Sequence, residues 1–501
     1  MGEGLAVQAE RIRKDTCALL DAKNRSRLGQ FFTPQAAAAL VASLPMLPEG
    51  EGPIRILDPG AGSGALTAAI VERFVAQLPG RKLLVTAVEI DRAILPALRQ
   101  TALLCEDWGR KHGVEVIVDV RNSDLVDSAT GLGGPDLGLF DLVIMNPPYL
   151  KLRARSSERL ALAAAAGVEC PNLYAAFLAL GVLSLRYGGQ LVAITPRSFA
   201  NGPYFGDFRR LLLDAVVVNR VHTFESRGSV FSDNGVLQEN IVFSCTKGGD
   251  RSPVQVSVSR DHEDAARNHV VAYGDFVRAN DPHRFLRITT NGDETAVVER
   301  MLAMPATLTD LGIQVSTGRV VDFRARENLR AEPAAGDLPL IYPGNVRMGK
   351  VDWPRSINKA QGFKVLREGD KKVLMPPGSY VLVKRFSAKE ERRRIVAGHW
   401  AQADNSGVAV AFENHLNVFH HDWHGMDREL AWGLTLWLNG SLVDRHFRTF
   451  SGHTQVNATD LRSLRFPCEV DLRRLASVVD GLPEQTELDY LIDQTLFGAA
   501  A

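Results

Sequence analysis

Short apolar segments alternate with helix-like patterns from about residue 40 to residue 245, and this alternation constrains the fold more than any other feature. Strands that alternate with helices pair in parallel and bury both faces of a sheet, so we predict an α/β domain with a mostly parallel sheet. A helix at residues 172–186 is expected to pack on the sheet and to end at Gly188 and Gly189, since glycine often follows a helix. The predicted strands are residues 54–58, 83–89, 114–120, 139–145, 189–195, 216–224 and 240–245.

The length of 501 residues is too great for one compact core, so we expect two domains. The composition of the chain changes after residue 250, and from residue 308 onward short strand-like stretches are broken by glycine, proline and asparagine. We therefore predict a first domain at residues 1–250, a connecting segment at 251–306 and a second domain at 307–501. The expected fold class is a Rossmann-like α/β sheet followed by a mostly β, irregular domain.

Composition narrows the class of protein. The 58 basic and 58 acidic residues give a formal net charge of zero, so the chain lacks the basic excess of a passive nucleic-acid coat. Its five cysteines are scattered without a Cys-x-x-Cys pair, which indicates neither a zinc site nor a disulfide framework and favours a reducing cytoplasm. The charged N-terminal segment and the lack of a long apolar run predict a soluble protein without signal peptide or membrane span.

A glycine-rich turn follows the first predicted strand. Asp58 and a proline are followed by Gly60, Gly62 and Gly64, and a helix is predicted from about residue 65. Glycines let the backbone approach a ligand closely, and a helix start presents unpaired N–H groups, so a nucleotide-like ligand would fit here. The turn alone does not distinguish such a ligand from NAD or from a purely structural turn.

Acidic residues after the next two predicted strands narrow the ligand further. Glu89, followed by Ile90, ends the second strand, where a carboxylate can accept hydrogen bonds from both hydroxyls of a ribose. The third strand leads to Asp124, which can accept a hydrogen bond from an adenine amine; a solvated loop carboxylate is the alternative interpretation of Asp124. The candidate ligand-binding residues from these segments are Asp58, Gly60, Gly62, Gly64, Glu89, Ile90 and Asp124.

The fourth predicted strand ends in Asn146-Pro147-Pro148-Tyr149, which is the strongest single signal in the chain. The side-chain oxygen of Asn146 and the carbonyl of Pro147 can each accept one N–H of a planar amine, which draws the amine lone pair out of conjugation. The two prolines stiffen the loop and remove competing backbone donors, so that the acceptors are preorganised. Tyr149 offers a face for stacking. The alternative is a tight turn that merely leaves a strand.

Together these segments resemble the amino-group (N6-adenine) DNA methyltransferases of the γ order, in which cofactor motifs precede the catalytic motif and a recognition domain comes last. The catalytic part resembles the TaqI-like group, and residues 172–177 and 188–196 resemble its later framework motifs. The resemblance implies a class I fold that binds S-adenosyl-L-methionine and methylates N6 of an adenine flipped out of double-stranded DNA. It also implies that the transfer is direct and needs no general base.

The resemblance assigns further residues. Thr33 and Pro34, in the segment 29–34, are expected to border the methionine part of the cofactor, and Asn146 is expected to contact the cofactor as well as the target. Phe231, in the segment 228–231, matches the position of a second aromatic against the flipped adenine, with a core phenylalanine as the alternative. The candidate catalytic residues are therefore Asn146, Pro147, Pro148, Tyr149 and Phe231.

The second half resembles, more loosely, the recognition domain of restriction-modification methylases of the PstI/BsuBI or Eco57I type. Residues 316–324, 342–345, 384–394 and 451–457 carry side chains suited to phosphates and base edges, although 384–394 reads equally well as a solvated helix face. His420, His421 and His424 are expected to be surface or DNA-facing residues, and no metal is expected. The expected partners are double-stranded DNA and a restriction endonuclease that acts separately; no membrane partner and no oligomeric state are indicated.

Four other functions are alternatives. The Asn-Pro-Pro-Tyr segment would also serve a protein glutamine N5-methyltransferase or an RNA adenine methyltransferase, but the large region after residue 307 favours DNA. A fused nuclease is disfavoured because no Pro-Asp with a following Asp/Glu-x-Lys constellation stands out. A non-catalytic DNA specificity subunit is disfavoured by the intact catalytic segment.

Overall fold

The computed structural model describes residues 3–20, 32–125, 138–153, 156–225, 239–261, 264–387, 391–401, 407–451 and 455–498. The chain forms two compact units, Met1–Thr290 and Asn291–Ala501. Residues 251–290 of the expected connecting segment belong to the first unit, and residues 291–306 belong to the second.

The first unit is built on a sheet with nine strands in the described residues. They are β1 (Ile54–Pro59), β2 (Leu83–Glu89), β3 (Val116–Asn122), β4 (Phe140–Met145), β5 (Leu185–Pro196), β6 (Val216–Phe224), β7 (Asn240–Lys247), β8 (Val254–Ser259) and β9 (Arg267–Val271). Their order is β3-β2-β1-β4-β5-β7-β6-β8-β9. Pairing is parallel from β3 through β5, whereas β7 runs antiparallel to both β5 and β6. Each of the seven predicted strands overlaps one of β1 to β7, and the predicted α/β fold is confirmed.

Helices cover both faces of this sheet. They are α1 (Leu5–Leu19), α2 (Gln35–Ser43), α3 (Ala65–Gln77), α4 (Leu95–Lys111), α5 (Ser157–Ala166), α6 (Leu173–Leu183), α7 (Gly206–Ala215) and the short α8 (Tyr273–Phe276), with 3₁₀ turns at Arg197–Ala200 and Pro203–Phe205. Along β4, Leu142 and Ile144 enter the core beneath α1 to α4, while Val143 and Met145 enter the core beneath α5 to α7. This alternation is the period of two that a strand imposes on its side chains, so an unbroken apolar strand supplies two cores.

The end of α6 differs from the prediction. The helix stops at Leu183, and Gly188 and Gly189 lie inside β5 instead of capping a helix. Gly188 has a φ of 78°, and a Cβ on Gly189 would lie 2.7 Å from the Phe140 carbonyl oxygen. The pairing of β4 with β5 shifts register at this point, so the glycines serve a bulge. The predicted cap was wrong because glycine marks both features locally.

The second unit begins with α9 (Gly292–Leu302) and continues with two sheets. Its strands are β10 (Gln314–Thr317), β11 (Leu329–Arg330), β12 (Leu338–Ile341), β13 (Val346–Arg347), β14 (Gly349–Val351), β15 (Gly362–Phe363), β16 (Leu374–Met375), β17 (Tyr380–Lys384), β18 (Ala397–Trp400), β19 (Val410–Phe412) and β20 (Leu416–His420). Within the described ranges, one sheet has the order β10-β20-β17-β18-β14-β13 and the other β11-β15-β12-β19-β16. The strands are short and irregular up to residue 420, as the sequence predicts.

Helices that were not predicted follow the strands of the second unit. They are α10 (Arg428–Leu438), α11 (Ser441–Phe450), α12 (Ala458–Arg462), α13 (Glu469–Val478) and α14 (Gln485–Leu496). A local signal for α10 exists, because Asp427 caps its first turn by accepting from the backbone N–H groups of Glu429 and Leu430. Among the helices of either unit that are described, none combines the length and hydropathy needed to cross a bilayer.

Candidate functional site

A cavity of about 350 Å³ opens at the carboxyl ends of β1 to β4 in the first unit. The chain order reverses between β1 and β4, which pair side by side, and such a switch point is where open α/β sheets bind ligands. The volume lies within the roughly 300–1,000 Å³ of small-molecule sites. The topology therefore puts the glycine turn, Glu89, Asp124 and Asn146 around one space, although they are far apart in sequence.

The glycine-rich turn forms one wall of the cavity. Gly60 and Gly62 line it, both with positive φ, and a Cβ on Gly62 would approach the Phe32 ring to 3.4 Å. Gly64 does not line the cavity: it has a φ of 88° at the start of α3, and a Cβ there would meet Thr101 Cγ2 at 2.8 Å. The turn thus needs glycine both for its left-handed backbone and for close packing beneath it.

Glu89 connects the end of β2 to the glycine-rich turn. Its Oε2 accepts from the Gly62 backbone N–H at 2.9 Å, and its Oε1 accepts from the Asp91 N–H at 2.8 Å. Burial raises the pKa of the Glu89 carboxyl, and the two backbone hydrogen bonds oppose that rise. The side chain lines the cavity with Ile90 and Asp124. Each carboxylate oxygen retains acceptor capacity beyond the backbone bond it already makes.

Asp58 lies beneath the turn and does not line the cavity. Its Oδ2 accepts from the Thr67 hydroxyl at 2.7 Å, and 1% of the residue is exposed. Burial raises the pKa of Asp58 to about 7, while the Thr67 hydrogen bonds lower it and the charge of Glu89 adds to the rise. The negative charge of Asp58 is therefore unfavourable in the folded protein.

An Asp58→Asn variant is expected to alter how stability depends on pH. The folded pKa of about 7 exceeds the unfolded value of 3.8, so the proton on Asp58 stabilises the fold below about pH 4 and this stabilisation is lost as pH rises through about 7. The shift corresponds to roughly 4 kcal/mol between those limits. Urea unfolding of both proteins from pH 4 to 8 should show the wild type losing stability relative to the variant. Parallel curves would contradict the buried, proton-binding carboxyl.

Asn146 stands at the end of β4 and lines the cavity with Pro148. Its Nδ2 donates to the Thr33 hydroxyl oxygen at 3.0 Å, and Thr33 lines the same cavity. Pro147 is buried, Pro34 is the N-cap of α2, and neither residue lines the cavity. The side-chain amide of Asn146 is thus held by a residue from the N-terminal segment.

Tyr149 is fixed between the two cores of the first unit. Its hydroxyl donates to the Ile194 carbonyl oxygen at 3.3 Å, and its ring meets Tyr174 edge to face with centroids 6.4 Å apart. Burial raises the pKa of the Tyr149 hydroxyl well above its usual value. Tyr149 does not line the cavity, and its stacking role stays a prediction. Phe231 lies outside the described residues.

The cavity is also lined by residues that were not predicted from the sequence as site residues. Phe32 and Phe177 line it, and each belongs to a motif already noted, at residues 29–34 and 172–177. An aromatic residue within a motif was thus an available signal. Leu173 of α6 belongs to the second of these motifs, whereas Leu162 of α5 has no local signal. The remaining unassigned lining residues are Ala61, Ser63, Ala65, Leu66, Val88, Ile94, Ser123, Leu125, Leu150 and Ala161.

Three segments noted in the second half of the sequence meet in the second unit. The Gly318 N–H donates to the Leu416 carbonyl, and the Arg385 N–H donates to the neighbouring His415 carbonyl. Val456 in turn donates to the Arg385 carbonyl at 2.7 Å. We call the side chains around this junction the aromatic-basic surface: the exposed Phe323, Arg324, Phe386 and His415 and the partly exposed Arg385.

Two arginines of the segment 384–394 have a structural role instead of an exposed one. Arg394 is 1% exposed, its Nε donates to the Ser387 hydroxyl at 3.0 Å, and its guanidinium lies over the Phe447 ring. Arg393 donates to the Gly440 carbonyl and to Gln485. Both arginines therefore contact groups of the C-terminal helices. The prediction that this segment is a solvated helix face or contacts phosphates is wrong for these two residues.

His420 is also buried, contrary to the expected surface position. Its Nε2 lies 3.0 Å from the Ser316 hydroxyl, its ring stacks on Trp423, and Arg319 lies over the Trp423 ring. Burial, with the charge of Arg319, lowers the pKa of His420 to about 4. The residue is therefore neutral at pH 7. Within the described residues no cluster of three or more potential metal ligands occurs.

Comparison with known proteins gives consistent matches. A family model described as Eco57I restriction-modification methylase matches residues 120–231. The type II methyltransferase M.PstI of Providencia stuartii is 40% identical over 498 residues, 98% of this chain and 97% of that protein. M.BsuBI of Bacillus subtilis is 39% identical over 485 residues, 95% of each chain. The solved structure of the type IIL restriction-modification enzyme MmeI in complex with DNA covers 98% of this chain and 74% of that chain with a TM-score of 0.54 and 12% identity, a likeness of fold alone.

Proposed function

The chain belongs to the type II methyltransferases of restriction-modification systems, and we propose that it is an S-adenosyl-L-methionine-dependent DNA methyltransferase specific for N6 of adenine. The observation that carries the proposal is the position of Asn146, at the carboxyl end of β4 and on the wall of the cavity that Glu89 and the glycine-rich turn share. An amide acceptor beside a nucleotide-sized cavity is the arrangement that methylation of a planar amine requires.

The residues around the cavity fit S-adenosyl-L-methionine. When bound, this cofactor supplies a sulfonium methyl group for transfer. The Glu89 carboxylate is the proposed acceptor for ribose hydroxyls, and Asp124 is the proposed acceptor for the adenine amine of the cofactor. Gly62 has no side chain where it faces Phe32, and a larger residue would narrow the cavity there. Phe177 contributes a flat apolar wall. Thr33, which lines the cavity, is proposed to border the methionine end, whereas Pro34 lies behind it as the N-cap of α2.

The catalytic segment is proposed to act on the target amine through its acceptors. Asn146 Oδ1 and the Pro147 carbonyl each accept an N–H of the flipped adenine, which draws the nitrogen lone pair out of conjugation with the ring. The prolines restrict the backbone and so hold both acceptors in place. Because proline has no backbone N–H, neither residue adds a donor that would compete for these acceptors. The methylated nitrogen is strongly acidic and loses its proton to water. Tyr149 and Phe231 are the proposed stacking partners of the base.

Base analysis after methyl transfer tests this function. Purified protein is incubated with labelled S-adenosyl-L-methionine and, in parallel, with double-stranded DNA, RNA or a protein substrate carrying a glutamine loop. We expect label in DNA alone, recovered as N6-methyladenine after digestion to nucleosides. Label in cytosine, in RNA or in the protein would contradict the proposal, and no transfer to any of them would favour a non-catalytic specificity subunit.

We propose residues 307–501 as the DNA-recognition domain, with the aromatic-basic surface as a DNA-contacting part. Phe323 and Phe386 are 62% and 49% exposed, although aromatic rings of this size are usually buried. Arg324 lies next to the Phe323 ring, and His415 packs against Phe386 with ring centroids 5.1 Å apart. Cationic and aromatic side chains together suit phosphates and bases.

Arg324→Gln is expected to weaken DNA binding about threefold to tenfold and to reduce the salt dependence of binding by about one released counterion, because one phosphate contact is lost. Fluorescence anisotropy with duplex DNA containing the methylated site, at several salt concentrations, measures both effects. Arg474→Gln is the matched control, since Arg474 is exposed on α13 outside the aromatic-basic surface. Equal affinity for both variants and the wild type would count against this surface.

We further propose that the protein works in the cytoplasm beside a separate restriction endonuclease. The free state of all five cysteines is compatible with a reducing compartment. DNA from cells that express the chain is expected to resist an endonuclease that cuts the same site, and ready cleavage of that DNA would contradict a protective role.

A further inference from the structure

We propose that Thr33 is a positioning residue that sets the orientation of the Asn146 amide for methyl transfer. The inference rests on the proposed function and deepens it, because it gives Thr33 a role that acts through Asn146 in addition to its place on the cavity wall. The contact behind it is the hydrogen bond from Asn146 Nδ2 to Thr33 Oγ1 at 3.0 Å, which joins residues 113 positions apart.

The two ends of an asparagine amide are almost equal in shape but opposite in hydrogen bonding. The oxygen accepts and the NH₂ group donates, and rotation about the terminal bond meets only a broad, shallow preference. A target amine also donates, so an Asn146 turned by 180° would point donor at donor. Thr33 holds the Nδ2 end of the amide through its hydroxyl oxygen, which fixes the amide plane with Oδ1 at the opposite end.

Thr33 is itself held firmly enough to act as a reference point. It is 6% exposed and precedes Pro34, the N-cap of α2, whose residues pack into the core beneath α1 to α4. The first residue of α2, Gln35, donates its backbone N–H to Glu10 of α1 at 3.1 Å. Glu10 is in turn paired with the buried Arg13 at 2.7 Å. The position of the Thr33 hydroxyl is therefore fixed by two helices.

The residue before Thr33 contacts the other half of the site. A Cβ on Gly62 would lie 3.4 Å from the Phe32 ring, so Phe32 packs directly on the glycine-rich turn. Both residues line the cavity. Phe32 thus contacts the glycine-rich turn, and the next residue, Thr33, contacts the Asn146 amide. The distance between the turn and the amide is therefore set by one short piece of backbone.

Thr33→Val and Thr33→Ser separate this role from a general structural one. Valine keeps the shape of threonine but lacks the hydroxyl, whereas serine keeps the hydroxyl. Single-turnover methyl transfer is measured with saturating DNA and cofactor, and the Kd of S-adenosyl-L-homocysteine is measured by calorimetry. We expect methyl transfer by Thr33→Val to be about tenfold slower than by the wild type, which corresponds to an activation free energy about 1.4 kcal/mol higher. The rate of Thr33→Ser should lie within about twofold of the wild-type rate, and all three proteins should have similar Kd values.

Each other result overturns the inference. A wild-type rate in Thr33→Val would show that the hydroxyl does not matter, and equal loss in both variants would indicate packing. A loss in Thr33→Val matched by a weaker Kd would assign Thr33 to cofactor binding. The failure of the proposed function is distinct, because it would appear as a wild-type protein that does not form N6-methyladenine.

Discussion

Asn146→Ala is expected to slow methyl transfer about a hundredfold to a thousandfold while the Kd of S-adenosyl-L-homocysteine changes little. The variant removes an acceptor aimed at the reacting amine, and the loss of one preorganised polar contact at a reacting group typically has this magnitude. The cofactor keeps Glu89, Asp124 and the glycine-rich turn, all on the cavity wall. Single-turnover kinetics and calorimetry measure the two effects separately.

The matched control for this variant is Asn219→Ala. Asn219 is partly buried in β6, where its Oδ1 accepts from the Thr246 hydroxyl at 2.7 Å, so its loss removes a comparable hydrogen bond in the same sheet. We expect transfer within about twofold of wild type. Unchanged transfer in Asn146→Ala would refute the catalytic assignment, and equal losses in both variants would indicate a general effect on the sheet.

Glu89→Gln is expected to weaken cofactor binding about a hundredfold. Glu89 accepts backbone N–H groups at both carboxylate oxygens, so a glutamine must turn an NH₂ group toward either Gly62 or Asp91, donor against donor. Charge-assisted hydrogen bonds of this kind contribute roughly 1.5–3 kcal/mol each, and the proposed ribose contact would be weakened as well. Calorimetry with S-adenosyl-L-homocysteine measures the change.

Glu115→Gln provides the same chemical change away from the cavity. Glu115 immediately precedes β3, pairs with Lys82 at 2.6 Å, and has a side chain that is 60% exposed, so its charge is screened by solvent. We expect its cofactor affinity to match that of the wild type. A Glu89→Gln protein that binds as tightly as Glu115→Gln would exclude Glu89 from the cofactor site.

The strands of the first unit were predictable because their signal is local. Runs of apolar residues define β2 and β6 to the residue, and the two cores follow from the alternation of side chains along a strand. Local signals failed where one residue type serves two purposes. Gly188 and Gly189 suited a helix cap as well as a bulge, and the choice between them depended on the register with β4.

The position of the site was also predictable in part. Parallel strands end at the same edge of a sheet, so residues after β1, β2, β3 and β4 had to come near one another. The sequence did not reveal burial in the second unit, where Arg394 and His420 look like surface residues but lie inside. Their partners, such as Ser387 for Arg394 and Ser316 for His420, become neighbours only when the chain packs.

The sequence by itself determined the α/β fold of the first unit, the edge of the sheet where the site lies and the chemical types of its principal residues. Only the tertiary structure decided that Thr33 holds Asn146, that α5 and α6 close the cavity, and that segments around residues 318, 385 and 456 meet. The physical reason is that hydrophobic periodicity acts over a few residues, whereas these contacts join positions separated by many residues and depend on how whole elements pack.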